Sequence, residues 1–196
     1  MIYDIVRQTR SCRRFQQSEQ ITPEQLRSLV DLARLSASAG NLQALKYILC
    51  ADPDRNAMVF PYLAWANYLK DWDGPPEGER PSAYIVIVGD KEITDTFGCN
   101  HGIAAQSILL GATEMGLGGC IIQSVQKERL RAQFRLPGRY EVLLVIALGV
   151  PKEVVVIEDA KDGEIRYWRD ADGVHHVPKR LLSDIILDTS EAIPSS

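Results

Sequence analysis

Thr9-Arg10-Ser11-Cys12-Arg13-Arg14-Phe15 is the stretch on which the reading of this chain turns. Three arginines and a serine fall within five positions, after a short amphipathic segment and ahead of the main apolar runs. A guanidinium fork donates paired hydrogen bonds to two phosphate oxygens while supplying charge. A serine hydroxyl and exposed backbone N–H groups can complete such a cradle. The other reading is a solvated basic patch, and the stretch alone leaves both open.

The background is acidic, with a net charge of −4. The arginine cluster therefore stands out, and broad nucleic-acid binding, which needs an extended basic face, is disfavoured. With 196 residues, 45% apolar and 24% charged, one well-filled core and a single domain over 1–196 are expected. Cys12, Cys50, Cys99 and Cys120 are widely spaced with no CxxC pair, and Met1-Ile2-Tyr3-Asp4 lacks the layout of a secretory leader. The longest apolar runs, such as Tyr84–Val88 and Val142–Leu148, are too short to span a bilayer. A reduced, cytoplasmic protein is the expectation.

Periodicity predicts helices over Ile2–Arg7 and Pro23–Leu35, the second opened by a Thr22/Gln25 capping box with Pro23 at its first position. Ser36–Gln43 is an aperiodic loop in which Ser38, Asn41 and Gln43 offer three polar side chains. Lys46–Ala51 is a strand, and Asp54–Lys70 is helical but interrupted at Pro61, with Phe60, Leu63, Ala64 and Trp65 as core. Asp71–Pro81 is a loop rich in Pro and Gly. Ala83–Val88 reads as a strand buried on both faces. Thr96–Met115 is the longest helix, apolar nearly all round, as in a core or a subunit interface. Cys120–Gln123 and Tyr140–Val150 are strands, and Gln126–Phe134 is a surface helix capped by Ser124. After Val154–Ile157 the pattern weakens, with Leu181–Leu187 a last helix and 189–196 a frayed tail. Strands set between helices predict α+β or α/β architecture, a small central sheet with helices on both faces.

The Gly111–Gly116 spacing lacks the Lys-Ser/Thr of a P-loop, and Gly116-Leu117-Gly118-Gly119 is not a dinucleotide fingerprint. Neither Cys99-Asn100-His101 nor His175-His176 has the spacing of a structural zinc site, so no metal is assigned. Cys12 lies among arginines, which would lower its thiol pKa, but no histidine is near it in sequence. The remaining option is an anion cradle with Arg10, Ser11 and Arg13 as one wall and Lys179 and Arg180 as another. No catalytic side chain is evident, so the chemistry would come from a bound phosphorylated cofactor.

Arg10-Ser11-Cys12-Arg13-Arg14-Phe15 resembles the Arg-Ser-x-Arg-x-Phe signature of the nitroreductase family of FMN-dependent oxidoreductases. Ser36–Gln43 resembles that family's Ser-Ala-x-Asn-x-Gln loop, and Gly102–Ile122 is similar to its central helix and following strand. Phe60–Pro81 and Val177–Arg180 resemble a subgroup of bacterial and archaeal members. The resemblance implies an α+β fold with a central, mostly antiparallel sheet flanked by helices, assembled as an intertwined homodimer. It implies FMN at the subunit interface, NADH or NADPH as donor, and ping-pong two-electron reduction of nitroaromatic, quinone or related acceptors. Alternatives within the same fold are dehalogenation, flavin fragmentation, azoline oxidation or non-catalytic FMN binding.

Carried onto this sequence, Arg10, Ser11 and Arg13 resemble phosphate and ribityl contacts, and Lys179 and Arg180 the C-terminal phosphate contacts. Ser38, Ala39, Asn41 and Gln43 resemble the loop that reaches the flavin from the other subunit. Ile122 and Gln123 resemble the segment beside the isoalloxazine ring. Three departures stand out. Thr9 replaces a frequent arginine, Ala44-Leu45 replaces Pro-Trp near the substrate mouth, and the excursion between the central helices is short.

Overall fold

The computed structural model describes residues 1–187, so the tail expected to fray at 189–196 lies outside the described residues. The chain divides into two compact units, Met1–Glu153 and Val154–Ser196.

The first unit is built on a four-stranded, wholly antiparallel sheet in the order β1-β2-β4-β3. Its strands are β1 (Leu45–Cys50), β2 (Ala83–Asp90), β3 (Gly118–Ile122) and β4 (Tyr140–Gly149). Every residue of β2 is buried, as its unbroken apolar run requires. One face carries α2 (Pro23–Leu35) and α4 (Asn100–Glu114). The other carries α3 (Pro53–Val59) and α5 (Lys127–Gln133), which meet β2 and β4. The expected α+β architecture, a mostly antiparallel sheet with helices on both faces, is observed. A bulge leaves Leu143 without a register partner between the Ile87–Leu144 and Val88–Val142 pairs.

Helix α2 starts where its capping box dictates: Gln25 N–H donates to Thr22 Oγ1 (3.2 Å), and Thr22 N–H to Gln25 Oε1 (2.9 Å). It buries Leu26, Leu29 and Ala33. Gly111 lets α4 approach it closely, since a Cβ there would stand 2.2 Å from the Leu32 side chain. The N-terminal helix α1 (Ile2–Gln8) buries none of its residues.

The structure corrects several boundaries. Helix α4 begins at Asn100 rather than Thr96, because the chain first turns to plug Phe97 against Gly89, where a Cβ would meet the ring at 2.3 Å. Gly98 permits that turn with φ +47°. The helix broken at Pro61 does not resume. Leu63 instead bridges Val125, and Ala64 N–H donates to Ser124 O (2.9 Å). Trp65 is buried as expected, whereas Ala64 is exposed. Ser124 does not cap α5, whose N-cap is Gln126. No described helix is long and apolar enough to cross a membrane.

The second unit holds a small mixed sheet, with β5 (Val155–Asp159) parallel and β6 (Trp168–Arg169) antiparallel to the central β7 (His175–Lys179). The last helix, α6, spans only Leu182–Ile185. Across β6 and β7 the Trp168 and His176 rings stack 4.1 Å apart at 7°. His176 Nδ1 meets Glu158, and Nε2 lies 3.2 Å from Asp170 Oδ2.

The Glu158 carboxylate, seconded by Asp170, raises the His176 pKa above its ordinary 6.5. A group with a raised folded-state pKa stabilises fully below its unfolded pKa and loses that contribution as pH rises through the folded one. His176→Gln should therefore lower the melting temperature most below pH 6.5, with the gap to wild type narrowing at alkaline pH. Thermal melts across that range check it; a gap that widens with pH would refute it.

Candidate functional site

The basic stretch is fixed to the edge of the sheet in an alternating way. Thr9, Cys12 and Phe15 are buried, while the residues between them face outward or sit half-buried. Ser11 bridges Gly119 in parallel fashion, and Cys12 N–H donates to Gly119 O (2.9 Å). This covers the otherwise open edge of β3. Phe15 bridges Pro151 and is 0% exposed.

Glycines make the room. Gly118 and Gly149 are register partners. A Cβ on Gly118 would stand 3.0 Å from Cys12 Cβ, and one on Gly149 would stand 2.7 Å from the Phe15 ring. Thr9 Oγ1 donates to Ile5 O (2.7 Å) and shares a 2.8 Å hydrogen bond with Thr113 Oγ1 on α4. In this chain the Thr9 departure is thus a packing position.

Carboxylates hold the rest of the segment. Glu79 accepts from Arg14 Nε (2.5 Å) and Nη2 (2.9 Å), and pairs with Lys152 Nζ (3.1 Å). The Arg14 hydrogen bond pulls the Glu79 pKa down to about 2. Glu153, buried at 9% exposure, accepts from the backbone N–H groups of Arg13 and Arg14.

Arg10 differs from Arg14. Its Nη2 donates to Val6 O (2.7 Å), but no carboxylate pairs with it among the described residues, and its buried Nε has no hydrogen-bond partner. Burial lowers its pKa. A cation partly withdrawn from water without a counter-ion fits an anionic ligand. Arg13 Nη1 lies 3.4 Å from Ser11 O.

The expected activation of Cys12 is overturned. Its thiol is 4% exposed, and burial pushes its pKa up to about 12 despite the nearby arginines. Burial likewise raises Cys120, with Arg13 and Ser11 acting in the opposite direction. Among the described residues, no group of three or more potential metal ligands comes together.

Ile122, buried, ends β3, the strand that Ser11 borders, and exposed Gln123 follows it. The Ser38–Gln43 loop sits elsewhere. Ala39 N–H donates to Asn100 Oδ1 at the start of α4 (3.0 Å), and Ser38 Oγ accepts from Gln43 N–H (3.0 Å). Gln43 Nε2 donates to Asn41 Oδ1 (3.2 Å). Gly40, Asn41 and Gln43 all take left-handed backbone, φ 57°, 52° and 51°. The loop borders a cavity of about 220 Å³ with Arg34, Lys46, Tyr47 and Asn100 on its walls. Ala44 is 1% exposed and its carbonyl accepts from Asp90 N–H (2.9 Å), so it serves the core and sheet.

The loop is tied to the first residue of α4, and the basic stretch to Thr113 near its end. At 1.5 Å per residue these anchors stand about 20 Å apart within one protomer. Lys179 ends β7 in the second unit, where its carbonyl accepts from Ala160 N–H (2.7 Å), and Arg180 follows it, exposed. Sequence reasoning missed Glu79, Glu153 and Asn100. The first two act from distant, loop-like stretches with no local signal, whereas Asn100 stands next to the expected buried helix and could have been weighed as a tether.

The pattern of the nitroreductase family matches residues 6–150. A protein of Archaeoglobus fulgidus, named for NADH dehydrogenase/NAD(P)H nitroreductase activity, is 25% identical over 162 residues, 79% of this chain and 88% of its own. One of Bacillus subtilis, YodC, named for NAD(P)H nitroreductase activity, is 22% identical over 176 residues, 74% and 87% of the two chains. A solved nitroreductase family protein of Streptococcus pneumoniae superposes with a TM-score of 0.69 at 14% identity, covering 96% of this chain and all of that one. One from Clostridium novyi gives 0.64 at 23% identity, covering 78% and 86%.

Two substitutions probe how the stretch is held. Phe15→Ala should cost about 3–5 kcal/mol, the range for a fully buried phenylalanine, read from urea unfolding. Glu79→Gln should lower the melting temperature at neutral pH. A depressed carboxylate contributes above its unfolded pKa and loses that contribution as pH falls. The gap should therefore shrink between the ordinary value of 4.5 and about 2; a gap unchanged over that interval would exclude the ion pair as its cause.

Proposed function

The chain belongs to the nitroreductase family, and on that footing we propose that it is a homodimeric, FMN-dependent oxidoreductase. Its donor is NADH or NADPH, and its acceptors are nitroaromatics, quinones or related small molecules. Arg10 carries the reading: a half-buried guanidinium with an unpartnered, buried Nε and no carboxylate partner among the described residues, in the segment where the resemblance expects a phosphate contact. When bound, FMN would supply the two-electron redox chemistry between nicotinamide donor and acceptor, in ping-pong order.

The chain's own residues bind and orient. Arg10, Ser11 and Arg13 hold the phosphate and ribityl end. Glu79 keeps Arg14 away from that task by neutralising it. Glu153 pins the Arg13 backbone, which limits where its guanidinium reaches. Ile122 and Gln123 flank the ring system, and Ser38, Ala39, Asn41 and Gln43 reach it from the partner protomer. The spacing of about 20 Å between the two anchors on α4 favours that sharing. So does the exposed apolar side of α1, with Ile2, Tyr3 and Val6 uncovered. No side chain is asked to act as acid or base. Four free thiols suit the reducing cytoplasm.

The purified protein should be yellow, be bleached by NADH or NADPH, and recover its colour on addition of a quinone or nitroaromatic. Arg10→Ala and Arg13→Ala should each weaken FMN binding by about 1.5–3 kcal/mol, the range for hydrogen bonds to charged groups. A colourless protein that takes up no FMN would overturn the proposal, and unchanged FMN affinity in both variants would overturn the residue assignment.

A further inference from the structure

A second cavity lies in the first unit, with a volume of about 110 Å³ and no lining residue from Thr9–Phe15. Its walls include Gln17, Asn56, Phe60, Arg80, Ser82 and Tyr84. Three buried polar atoms of these residues have no hydrogen-bond partner in the protein: Arg80 Nε, Ser82 Oγ and Asn56 Oδ1. Ser82 is 3% exposed. Buried polar atoms are rarely left unpaired, and three around one cavity point to an occupant.

The polarity of two of these atoms is fixed. Asn56 Nδ2 donates to Ser82 O (2.7 Å), so Oδ1 is the free end and needs a donor. Arg80 Nε needs an acceptor, and its guanidinium lies over the Phe60 ring at 4.3 Å with no carboxylate partner among the described residues. Ser82 Oγ can donate. Gln17 Oε1 is already engaged by the Gly78 and Arg80 N–H groups (2.7 and 3.2 Å). Water could meet the hydrogen bonds, whereas an anion would also pair with the half-buried Arg80 charge.

We propose that this cavity binds a small 2-hydroxycarboxylate of the size of glycolate, with its carboxylate on Arg80 and Ser82 and its hydroxyl donated to Asn56 Oδ1. Two acceptors and one donor on a two-carbon frame match the three unpaired atoms in number, kind and charge. The volume is that of a few water molecules at ~30 Å³ each, which excludes larger anions such as nucleotides. The site is independent of the flavin reading and stands or falls separately.

Calorimetric titration of the purified protein with glycolate, acetate and ethylene glycol tests it. Glycolate should bind saturably. Acetate, which lacks the donor, should bind about tenfold more weakly, the equivalent of one hydrogen bond at 1.4 kcal/mol per decade. Ethylene glycol, which lacks the charge, should not bind measurably. Ser82→Ala, a substitution that adds no bulk, should weaken glycolate with an unchanged circular dichroism spectrum, and Arg80→Gln should abolish binding. No saturable heat with glycolate means that only water occupies the cavity and overturns the proposal. Equal affinity for glycolate and acetate overturns the Asn56 contact, and binding that survives both variants overturns the site.

Discussion

The contact of Phe15 with Gly149, and of Cys12 with Gly118, is the constraint on which the rest of the site depends. A seven-residue stretch with three arginines gains little from its own hydrogen bonds and would stay mobile in water. Two buried side chains, set three residues apart, give it a fixed seat on a sheet edge. The seat exists only because two register-paired glycines leave the face bare. Once Phe15 and Cys12 point inward, Arg10, Ser11 and Arg13 must point elsewhere, and that alternation turns a basic run into an ordered surface.

Carboxylates then sort the arginines. Arg14 is neutralised by Glu79, the Arg13 backbone is held by Glu153, and Arg10 is left half-buried with no counter-charge among the described residues. The chain is acidic overall, so this imbalance is local and built by placement. A solvated basic patch would have shown three exposed, interchangeable guanidinium groups.

Much of the framework was legible because it rests on local rules. The Thr22/Gln25 box and the apolar run of β2 act within a few residues of where they are read. The misread boundaries share another cause. Helix α4 starts late because Phe97 is drawn to Gly89, and the chain after Pro61 is extended because it bridges Val125. Both are tertiary contacts that no window along the chain displays. The Cys12 inference failed for the same reason, since neighbouring arginines in sequence predict a low thiol pKa only if the sulfur shares their solvent. Burial decided otherwise. The arginine, amide and Lys-Arg motifs were visible as strings, but the carboxylates that give them different fates were not.

Helix α4 acts as a spacer as well as a core element. It holds the amide-rich loop at one end and the basic stretch at the other, at a separation set by its 15 residues. On the proposed reading, a lone protomer therefore owns two halves of different sites. Each cofactor would be clasped by two chains, so association and loading become one linked equilibrium. Dilution would then release cofactor as well as subunits, and added cofactor would drive the chains together. The amount of protein in the cell would itself set the fraction able to work.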